Sequence, residues 1–139
     1  MPKGKPSPCA AARERGFTLI ELITVMALIS ILAAIALPNY RQATLHAKEA
    51  VLKENLYRFR DLIDQYYADK GRYPPSLQGL VEAGYMRGPL PIDPFTGQAN
   101  WEEVPAEAEP DNPGEPPGIY DVRSTSTATS MGGKPYNEW

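Results

Sequence analysis

Residues 17–37 read FTLIELITVMALISILAAIAL, an apolar run almost without interruption that carries one carboxylate, Glu21. A helix needs about 20 such residues to cross the hydrocarbon core of a bilayer. An ionisable group inside a span costs about 2.5–3.5 kcal/mol unless it finds a partner, which makes Glu21 a functional candidate at once. Upstream lies a short polar segment, residues 1–16, with Lys3, Lys5, Arg13 and Arg15, ending in Arg15-Gly16 directly before Phe17.

A basic leader before an apolar run has three readings. A cleaved secretory signal has a 7–15-residue apolar region followed by a small-residue cut site. This run is longer, and Pro38-Asn39-Tyr40 is not an A-x-A site. A plain membrane anchor accounts for everything except Glu21. In the third reading the cut falls at Gly16–Phe17, where a glycine without Cβ admits close approach by a protease. The new amine at Phe17 then lies four residues from Glu21, about one helical turn. Between staggered subunits the same two groups can neutralise each other in a dry bundle, where losing one partner costs about 3–5 kcal/mol. The competing account of Glu21 is an acid that snorkels to the membrane surface from near the helix start.

The segment Arg15-Gly16-Phe17-Thr18-Leu19-Ile20-Glu21-Leu22 resembles the class III signal of type IV pilins and type II secretion pseudopilins. The resemblance implies that a prepilin peptidase cuts after Gly16 and methylates the amine of Phe17. It also implies that Glu21 is the acid used when subunits stack into a filament.

All four basic residues of the leader lie on one side of the span, which the positive-inside tendency assigns to the cytoplasm. The chain from Pro38 onward is then periplasmic. Of the 14 basic and 17 acidic residues, removing residues 1–16 takes Lys3, Lys5, Arg13, Arg15 and Glu14, leaving a side-chain charge of −6. That balance argues against a nucleic-acid partner. The one cysteine, Cys9, lies in the leader, so the expected mature chain has no disulfide framework.

Pro38 is expected to kink the helix. A helical pattern resumes at once, with Leu45, Leu52, Leu56, Phe59, Ile63 and Tyr66 recurring at helical spacings. Lys48, Glu49, Lys53, Glu54, Arg58, Arg60, Asp61 and Asp64 fill the other faces, with Glu49–Lys53 and Glu54–Arg58 in favourable i, i+4 order. His46 reads as a solvated surface residue. Lys70-Gly71 is a stop signal. The sequence thus predicts one helix from residue 17 to about 69, greasy all round in its first half and striped in its second.

Residues 71–139 hold eleven of the fifteen prolines, a mark of loops and short elements. Ser76 before Leu77–Ala83 and Gly84 predicts a short capped helix. Asp93-Pro94 to Gly97 predicts a turn. Gln98–Val104 and Ile119–Arg123 are the strand candidates, and the Pro/Glu/Ala-rich stretch from Pro105 to Gly118 is expected to be a loop. Tyr57, Phe59, Tyr66, Tyr67, Tyr73 and Tyr85 are expected to pack helix against head. The expected architecture is α+β and pilin-like. It comprises a leader (1–16), a transmembrane or filament-core helix (17–38), an amphipathic continuation (39–70), and a head (71–139) with a short antiparallel sheet.

Gly71-Arg72-Tyr73-Pro74, Leu77, Gly79-Leu80 and Leu90-Pro91-Ile92-Asp93-Pro94 are similar to the region after the long helix in major pseudopilins of the G type. Ile119-Tyr120-Asp121-Val122 and Asn137-Glu138-Trp139 are similar to that family's last strand and tail. The resemblance implies a calcium site in the C-terminal loop, built from acidic side chains and backbone carbonyls. Here residues 124–133, STSTATSMGG, have hydroxyls and glycines but no carboxylate. Calcium wants several oxygens, and only Asp121, Asn137 and Glu138 flank the loop. No cofactor is therefore assigned, with those three residues the candidate calcium donors.

No enzyme is expected. One histidine and one leader cysteine make neither a histidine-based triad nor a zinc cluster, and Gly132-Gly133-Lys134 lacks the rest of a phosphate loop. Two classes remain. In the first, the chain is a structural subunit of a periplasmic pseudopilus for protein export by type II secretion. The resemblance then implies as partners other copies of itself, a prepilin peptidase, minor pseudopilins, and an inner-membrane assembly platform with its ATPase. A close variant is a type IV pilin of a surface pilus for adhesion, motility or uptake. In the second class the chain is a membrane-anchored binding module that does not polymerise.

Overall fold

The computed structural model describes Gly4, residues 16–107 and residues 116–139. The basic residues of the leader, Glu14, Cys9 and most of the expected loop before Gly118 lie outside the described residues. Helix α1 runs Leu19–Lys70 and α2 Leu77–Glu82; strands β1 (Trp101–Pro105) and β2 (Ile119–Ser124) follow, then a 3-10 turn at Tyr136–Glu138. The fold is α+β, a long N-terminal helix with a small C-terminal head, as the sequence predicts. The chain divides into two compact units, Met1–Tyr40 and Arg41–Trp139.

The first unit contains the apolar half of α1, and every described residue from 16 to 40 is exposed. The helix starts two residues later than the sequence predicts. Thr18 stands in front of it and its Oγ1 accepts the Glu21 N–H at 3.2 Å, satisfying one of the donors a helix start leaves open. Thr24 and Ser30 turn their hydroxyls back onto the carbonyls of Ile20 and Met26, at 2.7 and 2.8 Å, which leaves few free polar groups on this stretch of the helix. Helix α1 continues through Pro38. The missing proline N–H leaves the Ala34 carbonyl without its i+4 donor.

In the second unit, α1 lays Leu52, Leu56, Phe59, Leu62, Ile63 and Tyr66 into a core shared with Leu77, Leu80, Met86, Ile119, Val122 and Tyr136. Ser76 caps α2 by accepting the Gly79 N–H at 3.0 Å, and Glu103 Oε1 takes the Leu77 N–H at 2.8 Å. Strand β1 pairs antiparallel with β2, Trp101 opposite Ser124 and Val104 opposite Asp121, with the register shifting at Pro105. Strand β1 begins at Trp101 rather than Gln98 because residues 98–100 close the preceding turn. The Gln98 carbonyl accepts the Asp93 N–H at 2.9 Å, and Thr96 donates to Asn100 at 2.6 Å.

Glycine is required at Gly71 and Gly118 for different reasons. Gly71 ends α1 with φ +69°, the left-handed cap position. Gly118 enters β2 so close to the chain after α1 that a Cβ there would lie 2.6 Å from the Tyr73 carbonyl oxygen. That approach lets Ile119 N–H donate to Pro74 O at 2.9 Å and ties β2 to the segment after the helix. Aromatic contacts fill the seams: Phe59 meets Trp101 edge-on at 5.0 Å, and Phe95 stacks on Tyr136 at 3.9 Å. Of the aromatics expected in this role, Phe59 and Tyr66 are buried, but Tyr57 is 71% exposed and packs no seam.

Candidate functional site

Gly16, Phe17 and Glu21 sit together at the start of α1. Phe17 is 85% exposed and lies ahead of the helix, whose first residue is Leu19. A Cβ built on Gly16 meets nothing within 4 Å. No packing against the described residues therefore demands a glycine there. Glu21 falls in the first helical turn, where a carboxylate interacts favourably with the helix dipole. Thr18-Leu19-Ile20-Glu21 has the S/T-x-x-E form of a capping box, the sequence signal that locates the helix start.

The second set of polar residues lies in the head and centres on Glu49. The spacing with Lys53 suggests a solvated pair, but Glu49 is only 7% exposed. Its Oε1 accepts the Met131 N–H at 2.8 Å and the Tyr136 hydroxyl at 2.9 Å. The Met131 amide bond, then the Tyr136 hydroxyl, with Lys53 and His46 adding positive charge, hold its carboxyl below the usual value of 4.5 against the opposing effect of burial. Burial, with the Glu49 bond and charge, pushes the Tyr136 phenol up to about 12. Lys53 places its Nζ 4.8 Å from the centre of the Trp139 ring.

Asp93 is a second buried carboxylate, fully covered. Its Oδ1 accepts the Phe95 N–H at 2.8 Å and its Oδ2 the Ser124 hydroxyl at 2.5 Å. Ser124 Oγ in turn accepts the Ser126 N–H at 3.1 Å. Between these two carboxylates the C-terminal loop closes on itself: Ser130 N–H bonds Lys134 O at 2.8 Å and Tyr136 N–H bonds Ala128 O at 3.0 Å.

Asp121, Asn137 and Glu138 are not drawn into one cluster. Asp121 Oδ1 takes Arg60 Nε at 2.7 Å and its own neighbour's Val122 N–H at 2.8 Å. The Arg60 fork also reaches the carbonyls of Val122 and Trp139. Asn137 Oδ1 is buried without a hydrogen-bond partner, and Glu138 is exposed. No group of three or more His, Cys, Asp or Glu side chains able to hold a metal occurs among the described residues. Two of the loop hydroxyls donate elsewhere, Ser124 to Asp93 and Thr125 to the Asn100 carbonyl. This donor set does not fit a calcium ion, which needs six to eight free oxygens.

An exposed apolar half-helix with one acid in its first turn, continued into a helix that cores a small α+β head, defines a pilin-like subunit. Residues 11–37 match the family model described as the prokaryotic N-terminal methylation motif. The chain is 30% identical over 139 residues to the type II secretion system core protein G of Escherichia coli (strain K12), covering 88% of each chain. It is 31% identical over 99 residues to the core protein G of Klebsiella pneumoniae, covering 60% of this chain and 70% of that one. It is also 44% identical over 61 residues to the type IV major pilin protein PilA of Myxococcus xanthus (strain DK1622), covering 44% of this chain but 28% of the pilin's length. No solved structure matches. The chain belongs to the family of type II secretion system core protein G, the G-type pseudopilins.

Proposed function

We propose that the chain is the repeating subunit of a periplasmic pseudopilus that drives protein export by type II secretion. The observation that carries this reading is the division of labour along α1. Residues 16–40 are exposed on every side, while the buried core draws its members from residues 52–136. An apolar rod of this kind is stable in lipid and equally in a bundle of its own kind.

In this reading the chain is held in the inner membrane by one span, with residues 1–16 cytoplasmic and the head periplasmic. A prepilin peptidase cleaves between Gly16 and Phe17 and methylates the Phe17 amine. The cut frees the amine two residues ahead of the first helical residue. Within a growing filament that amine meets Glu21 of a neighbouring copy, and a subunit leaves lipid only where the two charges pair. An assembly platform and its ATPase supply the work, and minor pseudopilins complete the filament. The role is mechanical, with no catalysis by this chain.

The likeness to a major type IV pilin over 61 residues favours a surface pilus as the second reading. The G-type match over 88% of both chains favours secretion.

The test combines mass spectrometry with filament formation. The membrane-derived protein is expected to begin at a methylated Phe17. Glu21→Ala is expected to leave insertion and head stability intact while abolishing filaments and export. A chain still carrying residues 1–16, or filaments unaffected by Glu21→Ala, refutes the reading. Loss of pili with export unchanged moves the chain to the pilus class.

A further inference from the structure

Two carboxylates from outside the C-terminal loop take hydrogen bonds from its start and its end. The loop from Ser124 to Pro135 contains no carboxylate of its own, yet its first and last parts both end on one. Ser124 donates to the fully buried Asp93, and Met131 and Tyr136 donate to Glu49. Each carboxylate comes from outside the loop, Asp93 from the turn before β1 and Glu49 from α1. A loop built around a cation turns its oxygens inward to the ion. Here the polarity is reversed, because the loop presents N–H and O–H donors to a protein-borne anion.

We propose that Glu49, with Asp93 as its counterpart at the loop's first residue, is the fixed anion that closes this loop onto the head, in the place of a bound calcium ion. Both donors to Glu49 converge on one oxygen, Oε1. A glutamine keeps a neutral acceptor at that point, whereas an alanine leaves the Met131 amide and the Tyr136 hydroxyl without one. Glu49→Gln therefore weakens the closure and Glu49→Ala removes it.

The experiment uses the full chain in detergent micelles, as wild type, Glu49→Ala and Glu49→Gln, each in chelator and in millimolar calcium. Melting temperature and hydrogen exchange at the Met131 amide are the readouts. Wild type is expected to show the same melting temperature and the same Met131 protection in both conditions. Glu49→Ala is expected to lose on the order of tenfold or more in Met131 protection and about 5 °C or more in melting temperature, with Glu49→Gln between. Should Glu49→Ala not accumulate, Glu49→Gln and the chelator comparison decide. A wild-type melting temperature raised by calcium, or Met131 exchange hastened by chelator, overturns the proposal. So does Met131 protection unchanged in the Glu49 variants.

Discussion

The Tyr136 hydroxyl donates to Glu49 Oε1 at 2.9 Å across 87 residues of sequence, inside the buried part of the head. One bond thus joins the middle of α1 to the last turn of the chain. Removing only the hydroxyl, in Tyr136→Phe, keeps the stack on Phe95 and takes one of two donors from Glu49. The expected loss is about 1 kcal/mol, read as a lower denaturant midpoint with an unchanged slope.

The same pair sets opposite pH limits. Glu49 is held below its usual 4.5 in the folded head. Its contribution to stability is therefore complete above that value and fades as pH falls through the lowered one. Tyr136 is pushed up from 10.0 to about 12. Its contribution is complete below pH 10 and fades as pH rises toward 12. Melting temperatures measured across pH are expected to decline at both ends, and Glu49→Gln is expected to flatten the acid side. In an ultraviolet titration Tyr136 is expected to ionise near pH 12, above the ordinary phenol value.

Phe59 is fully buried and meets Trp101 edge-on. Phe59→Ala is expected to cost about 3–5 kcal/mol, enough to unfold a head of this size at moderate temperature. Tyr57→Ala, at the exposed neighbouring position, is expected to leave the melting temperature nearly unchanged.

Gly118 offers a sharper test of packing. A methyl there must displace backbone oxygens of Tyr73 and Pro74 rather than flexible side chains. Gly118→Ala is expected to destabilise by about 1–3 kcal/mol and to raise exchange at the Ile119 amide. The contrasting substitution is Gly16→Glu, at a site where an added Cβ meets none of the described residues. It is expected to leave the melting temperature unchanged while mass spectrometry finds residues 1–16 retained.

Much of this was legible in the residues because the helix repeats every 3.6 positions. Of the six residues that the spacing selects, Leu52, Leu56, Phe59, Ile63 and Tyr66 are buried and Leu45 is half-buried. The burial of Glu49 is hidden in the sequence because a glutamate four residues before a lysine looks like a surface pair. Its position nonetheless completes the stripe, falling between Leu45 and Leu52 at the four- and three-residue steps that the apolar residues keep. Arg60 is equally opaque to local spacing, since its partners Asp121 and Trp139 lie 61 and 79 residues away. The strand pattern places the start of β1 too early because side-chain bonds of Thr96, which no alternation pattern reveals, hold residues 98–100 in the turn.

All twelve residues of the head's buried apolar cluster fall after Pro38. A globule whose interior owes nothing to the preceding greasy segment keeps its shape when that segment exchanges oil for siblings. On the proposed function, extraction from the bilayer is a change of company for a rod, with no refolding of what the rod carries.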